Sequence, residues 1–232
     1  MKEPRASFVI PVFNGQKYLA EAIASCQKQS VKELEIIVVN DCSTDGTGEL
    51  LDYFASGDKR IRAEHLKENV GRSNARNHGN ALAQSPYIFV LDADDRSCKD
   101  RVRDTLLAFE MKKPDLVYGP FYTMDSLGNV EGKVPAAPFN EAIARKRKFN
   151  YIGHSTMAYR TGLTKNIQYD AGEFSRLGLD DWKFQWDAYL KGYKFAVTRT
   201  FLAYWRQHED GVSQTRNMDE VVKTKEGYLA TV

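Results

Sequence analysis

The chain has 232 residues, with 33 Lys and Arg against 31 Asp and Glu, for a formal net charge of +2. Hydrophobic residues make up 42% and aromatics 12%, which excludes a disordered chain, and no apolar run approaches the ~20 residues needed to span a bilayer. Three cysteines (Cys26, Cys42, Cys98) without a CxxC pair exclude a disulfide-stapled or zinc-clustered domain and fit a reducing, cytoplasmic setting.

Strand-like and helix-like runs alternate through the first half. Ser7 to Val12 is short, apolar and β-branched; Leu19, Ala22, Ile23 and Cys26 then recur at helical spacing, predicting a helix over 16–29. Leu34 to Val39 is nearly continuously apolar, as in a strand buried on both faces of a parallel sheet. A second helix begins at Asp45-Gly46-Thr47, a weaker strand covers 60–66 and a third helix 73–82. Tyr87 to Leu91 is a clear buried strand that ends in aspartates, followed by a helix over 99–111 and a strand over 115–118. Repeated strand–helix–strand units imply right-handed crossovers and a doubly wound α/β sheet, whose ligands sit beyond the carboxyl ends of the strands. From Gly119 the pattern is irregular, apart from the basic run Arg145-Lys146-Arg147-Lys148 and an apolar strand over 201–205.

Charged clusters follow the predicted strand ends. Asp92-Ala93-Asp94-Asp95 places three carboxylates within four residues; such a cluster holds Mg²⁺ or Mn²⁺, or else is a solvated turn capping the next helix. Asp41, in Asn40-Asp41-Cys42-Ser43-Thr44-Asp45, is placed to accept from a base edge or ribose hydroxyl, with turn capping as the alternative. Gly71 permits a tight turn before a helix on which Arg72 and Arg76 share a face, either as phosphate ligands or as a solvated basic surface. Asp180-Asp181-Trp182 offers a general base near an aromatic wall, or a helix N-terminus. A lone imidazole, His208, follows the late strand and by itself reads more readily as structural than as a metal ligand. No GxGxxG, P-loop or HExxH motif occurs, which removes the common dinucleotide, P-loop and zincin readings.

In this order, Val9-Ile10-Pro11-Val12-Phe13-Asn14, Val39-Asn40-Asp41-Cys42-Ser43-Thr44-Asp45-Gly46-Thr47, Asn69-Val70-Gly71 with Ala75 to Gly79, Leu91-Asp92-Ala93-Asp94-Asp95, Asp180-Asp181-Trp182, and Arg206-Gln207-His208 with Gly211-Val212-Ser213 resemble the inverting family 2 glycosyltransferases of GT-A fold. Two departures stand out: Cys42 where the family usually has Gly, and Asp180 where Glu is commoner. The resemblance runs from Phe8 to Ser213. It implies an α/β GT-A domain with a Rossmann-like, mixed or mostly parallel sheet flanked by helices, divided into a nucleotide-sugar half (1–118) and an irregular acceptor half (119–232).

It also implies roles. Pro11, Val12, Asn14, Asp41, Asn69, Gly71, Arg76, Asp92 and Ala93 would line the nucleotide-sugar site, with Asp41 reading the base. Asp94 and His208 would ligate Mn²⁺ or Mg²⁺, and Asp181 would be the catalytic base. Arg72, Asp95, Asp180 and Trp182 are further candidates. The donor implied is a UDP-sugar, and the acceptor a glycan, lipid-linked or other hydroxyl in polysaccharide, glycolipid or cell-surface glycan synthesis.

Rival classes fare less well. A nucleotidyltransferase needs a Gly-rich, Arg/Lys-containing loop after the first strand, where this chain has Asn14-Gly15-Gln16. A non-catalytic sugar-nucleotide binding module would not need Asp181 or His208. Nucleic-acid binding would rest on four basic residues in a chain of net charge +2. That run, Arg145 to Lys148, is better read as a peripheral contact with the inner face of a membrane or with an acidic acceptor.

Overall fold

The computed structural model describes residues 3–146, 152–211 and 217–232. Its first part alternates β1 (Ala6–Val12), α1 (Leu19–Gln27), β2 (Leu34–Asn40), α2 (Thr47–Gly57), β3 (Ile61–His65), α3 (Arg72–Leu82) and β4 (Tyr87–Val90). The continuous apolar runs become strands because both of their faces are covered. Phe8, Ile10 and Val12 of β1 pack with Ile36, Val38 and Phe89 beneath α1, while Val9 packs with Ile37, Val39, Ile88 and Val90 on the opposite face. Burial of each such side chain contributes about 1.5–3 kcal/mol. The α3 face comes very close to the sheet: a Cβ on Gly79 would lie 2.6 Å from Val9 Cγ1. Any larger residue there would force α3 off the strands.

The chain continues through β5 (Arg96–Ser97), α4 (Arg101–Lys112), β6 (Leu116–Tyr118), β7 (Phe121–Met124), β8 (Val130–Val134), α5 (Glu141–Lys146) and β9 (Ala158–Arg160). It closes with α6 (Glu173–Arg176), α7 (Asp180–Leu190), β10 (Phe195–Val197), β11 (Ala203–Arg206) and α8 (Met218–Thr231). Among the described residues the main sheet has the order β10-β6-β9-β4-β1-β2-β3. Strands β4, β1, β2 and β3 run parallel, as the sequence predicts.

Beyond β4 the sheet becomes mixed, as the family resemblance implies. Strand β9, only three residues long, inserts antiparallel between β4 and β6. A second sheet, β5-β11-β7-β8, joins a short strand after the aspartates to strands of the later region, its β11 overlapping the strand expected over 201–205. Strands on both sides of residue 118 therefore share the main sheet. Fully buried Arg101 fixes the insertion by donating to the carbonyls of Val90 and Met157, at 2.8 and 3.0 Å. No described helix is long and apolar enough to cross a membrane.

Candidate active site

The carboxyl ends of β1, β2 and β4 converge on one edge of the sheet. Asn14, after β1, and Cys42, after β2, both adopt left-handed backbone, with φ of +50° and +58°. That conformation suits glycine, which accounts physically for Gly being usual where Cys42 stands. The two turns lock together: Asn14 N–H donates to Ser43 Oγ (2.9 Å), and Thr44 N–H donates to Asn14 Oδ1 (2.8 Å). Pro11 is buried at the end of β1, and the Val12 side chain belongs to the core, so at Val12 only the backbone can reach the cleft.

Asp41 is buried, and its carboxylate accepts from Val70 N–H (2.8 Å) and Gly71 N–H (2.9 Å); Asn69 Nδ2 donates to the Asp41 carbonyl (3.2 Å). A carboxylate has about four acceptor positions, so this cradle leaves capacity for a ligand N–H. Gly71 has φ +82° and ψ 153°, a region essentially reserved for glycine. Gly71→Ala is therefore expected to cost about 1–3 kcal/mol even though a Cβ would meet no neighbour within 4 Å. The urea midpoint of the variant checks this; an unchanged midpoint would mean that the loop relaxes freely.

After β4 the three aspartates take different partners. Asp92 is joined to Arg76 Nη2 (2.9 Å), His154 Nδ1 (3.0 Å) and Ser155 Oγ (3.3 Å). Burial raises its pKa, but its contacts with His154 and Arg76 prevail and hold it well below the usual carboxylate range. Asp95 is buried and pushed well above that range by burial and then by Asp94 and Asp92, while accepting from Arg206 N–H at 2.8 Å. Asp94 is partly exposed, and its Oδ2 lies 3.0 Å from His208 Nε2. Ala93 is half-buried against the core.

The two residues predicted to hold a metal thus meet across 114 positions of sequence. The buried Arg206 guanidinium enforces this approach, donating to the Asp94 carbonyl (2.8 Å), the Ser126 carbonyl (3.2 Å) and Glu21 Oε2 (2.9 Å). It also lies 4.5 Å above the Tyr18 ring, against which His208 packs.

The acidic pair at the start of α7 divides its labour. Asp180 is buried and paired with Arg76 Nη1 (2.9 Å) and Arg72 Nε (3.2 Å), while Arg72 also donates to the Ser175 carbonyl. Arg72 and Arg76 therefore point inward, not to a solvated helix face. Arg76 is 3% exposed, lies 4.8 Å over the Tyr169 ring, and holds Asp92 and Asp180 in one ion network. Asp181 is half-buried; burial raises its pKa, as do Asp180 and Asp92, while His154 opposes them. Trp182 is a correction to the expected aromatic wall. It is 2% exposed, packed among Trp186, Phe174 and Tyr228 beneath α8, and so does not line the cleft.

Several residues escape sequence reading. His154, Ser155 and Tyr169 come from the irregular region; the Tyr169 hydroxyl lies 3.2 Å from His154 Nε2, completing the surroundings of Asp92. Arg145 pairs with Glu141 and lies 5.2 Å over Trp186, so it serves the fold. The Lys146 side chain, Arg147 and Lys148 lie outside the described residues, as do Val212 and Ser213.

The family model described as Glycosyl transferase family 2 matches residues 7–165. Glycosyltransferase GlyG of Streptococcus pneumoniae is 35% identical over 119 residues, 51% of this chain and 40% of that protein. The poly(ribitol-phosphate) beta-N-acetylglucosaminyltransferase TarS of Staphylococcus aureus is 26% identical over 214 residues, 88% of this chain and 36% of that protein. The chain thus spans less than half the length of either relative. The structure of TarS 1-349 in complex with UDP-GlcNAc superposes with a TM-score of 0.74 at 21% identity, covering 98% of this chain and 67% of that one. The mannosyltransferase PcManGT of Pyrobaculum calidifontis, in complex with GDP-Man and Mn²⁺, gives 0.70 at 14% identity, covering 99% and 70%. Both likenesses support the GT-A fold.

Proposed function

We propose, from the premise that the chain belongs to glycosyl transferase family 2, that it moves a sugar from a UDP-sugar to an acceptor hydroxyl with inversion. The observation that carries this reading is the meeting of Asp94 with His208 at 3.0 Å, beside the strand ends that bear Asn14, Asp41 and Asp92. The donor nucleotide would lie over Pro11, Asn14, Asp41, Asn69 and Gly71, with Asp41 accepting from the base. Residues 1–118 would supply most of this donor side, and 119–232 most of the acceptor side together with His154 and His208.

The donor set fits a divalent ion. Asp94 gives a partly exposed oxygen and His208 a nitrogen next to it, while His208 Nδ1 is buried without a partner. Among the described residues no group of three or more His, Cys, Asp or Glu converges on one point. Mn²⁺ or Mg²⁺ held by Asp94 and His208 would therefore draw its other ligands from the diphosphate and water, as these ions commonly do. When bound, the ion supplies positive charge to the departing diphosphate.

The chain's own residues do the rest. Asp92, held ionised through its contacts with His154 and Arg76, would accept from a donor hydroxyl. Asp180 is paired with Arg72 and Arg76, and its neighbour Asp181, whose pKa burial raises, would take the acceptor proton while the new C–O bond forms. The acceptor would be a glycan or a lipid-linked sugar in cell-surface polysaccharide synthesis, reached from the cytoplasmic side. The Arg145–Lys148 segment would touch the membrane surface through its residues beyond Arg145.

A panel of UDP- and GDP-sugars, screened for thermal stabilisation and for metal-dependent hydrolysis, tests the reading. Selective response to one UDP-sugar is expected. Response to GDP-mannose instead would favour the second donor reading, suggested by the mannosyltransferase neighbour, stabilisation without hydrolysis would favour a non-catalytic binding module, and response to none would overturn the donor reading. EDTA is expected to abolish hydrolysis and Mn²⁺ to restore it. Asp94→Asn should raise the Mn²⁺ needed for half-activation by at least the ~10–100-fold that losing a mere outer-shell partner costs, and full activity after chelation would overturn the metal role.

A further inference from the structure

Asn40 and His65 stand opposite one another at the carboxyl ends of the parallel strands β2 and β3. The Asn40 side chain is 5% exposed and bonded at both ends: Oδ1 accepts from Ser43 N–H (3.1 Å), and Nδ2 lies 3.1 Å from His65 Nδ1. Because a backbone N–H can only donate, Ser43 fixes which end of the amide is oxygen. Nδ2 is therefore a donor, and His65 Nδ1 must accept. The imidazole proton then sits on Nε2, which donates to Asp52 Oδ1 at 3.1 Å.

This arrangement admits only the neutral ring. An imidazolium carries N–H on both nitrogens and would turn a donor toward the Asn40 donor. Turning the Asn40 amide over would rescue that contact but lose the bond to Ser43. Ser43 in turn holds Asn14, through its Oγ and the Asn14 N–H at 2.9 Å. Protonation at His65 is thus transmitted to the locked Asn14–Ser43 pair. Of the charged groups around His65, Asp52 on α2 faces the ring and favours the charged form, but it is 70% exposed and screened by solvent. Glu64, next along β3, pairs instead with Arg62 and with His78 of α3.

We infer that His65 is a positioning residue whose neutral imidazole, through Asn40, shapes the Cys42–Thr44 turn for the donor nucleotide, so that acidification loosens donor binding. The inference rests on the proposed placement of the nucleotide over Asn14 and Asp41. Imidazole is the side chain that ordinarily changes charge between about pH 5 and 8. The Gln amide oxygen can accept from Asn40 at every pH, so His65→Gln separates titration from structure.

The test is UDP affinity of the full chain by calorimetry between pH 5.5 and 7.5, alongside the Ser43 amide resonance over the same range. In the wild type, affinity is expected to fall on acidification about tenfold more than in His65→Gln, roughly the worth of one hydrogen bond. The Ser43 resonance should follow the His65 ring in the wild type and stay flat in the variant. The pH dependence of UDP itself and of the rest of the site is common to both proteins and cancels in the difference. Equal pH dependence of affinity in the two proteins, or a Ser43 signal that ignores His65, would overturn the inference. If UDP bound at no pH while Ser43 still followed His65, the nucleotide placement would fall and the coupling would stand.

Discussion

Asp181→Asn is expected to slow sugar transfer by about 10²–10⁴-fold, the usual worth of general-base catalysis, while UDP affinity changes by no more than about threefold, under 1 kcal/mol. The asymmetry follows from how the acidic pair is wired. Asp180 is occupied by Arg72 and Arg76, so it neither repels an incoming acceptor strongly nor accepts a proton readily. Asp181, next in the chain, is half-buried, and its Oδ1 accepts from Trp182 N–H at 2.6 Å. Burial raises its pKa, and Asp180 and Asp92 add to the rise. A raised pKa makes a better base but narrows the range in which the base is ionised. The rate should therefore fall on the acid side with a midpoint above the ~3.9 of an ordinary aspartate, and Asp181→Asn should erase that limb along with the turnover. Initial rates against pH at saturating donor, with UDP binding measured in parallel, give both readouts. Near-normal turnover in the variant would assign the base elsewhere.

The parallel core was legible because its strands are buried on both faces, and such burial leaves continuous apolar runs in β1, β2 and β4. Strand β9 left no such trace. Its three residues, Ala158-Tyr159-Arg160, are too few for any periodicity, and their place is set by partners on both sides and by the buried Arg101. Of the small sheet only β11 shows in the sequence, as the apolar run over 201–205; β7 and β8 are short and largely exposed, and β8 alternates charge with glycine. In the site, residue type was legible and direction was not. Arg76 could be read as a cation on a helix face; that it points inward depends on Asp180, 104 positions later. Asp94 and His208 were paired through the family resemblance, whereas His154, in a short turn of ordinary composition, has meaning only once the fold sets it against Asp92.

That inward orientation of Arg76 makes it the residue whose loss should most damage the fold of the site. Arg76→Met removes the link between α3, the end of β4 and the start of α7, because one guanidinium serves both Asp92 and Asp180. Methionine fills much of the space over Tyr169 but supplies no charge. Asp180, 6% exposed, would keep only Arg72, and Asp92 only His154 and Ser155. Breaking a buried ion network from one side costs about 3–5 kcal/mol, against about 1–2 kcal/mol for Asp180→Asn, where Arg76 keeps Asp92 and the amide oxygen can still accept. The sign of the pH dependence separates this electrostatic account from simple loss of packing. Asp92 has a depressed pKa in the folded state, so its contribution is present above the unfolded value near 4 and is lost as pH falls toward the folded one. The stability gap between wild type and Arg76→Met should accordingly narrow as pH drops below about 4. Urea unfolding at pH 7 and at pH 3 measures both quantities. A gap of equal size at the two pH values would mean that Arg76 acts through packing on Tyr169, and a loss below about 1 kcal/mol at pH 7 would mean that Arg72 alone suffices to hold α7 to α3.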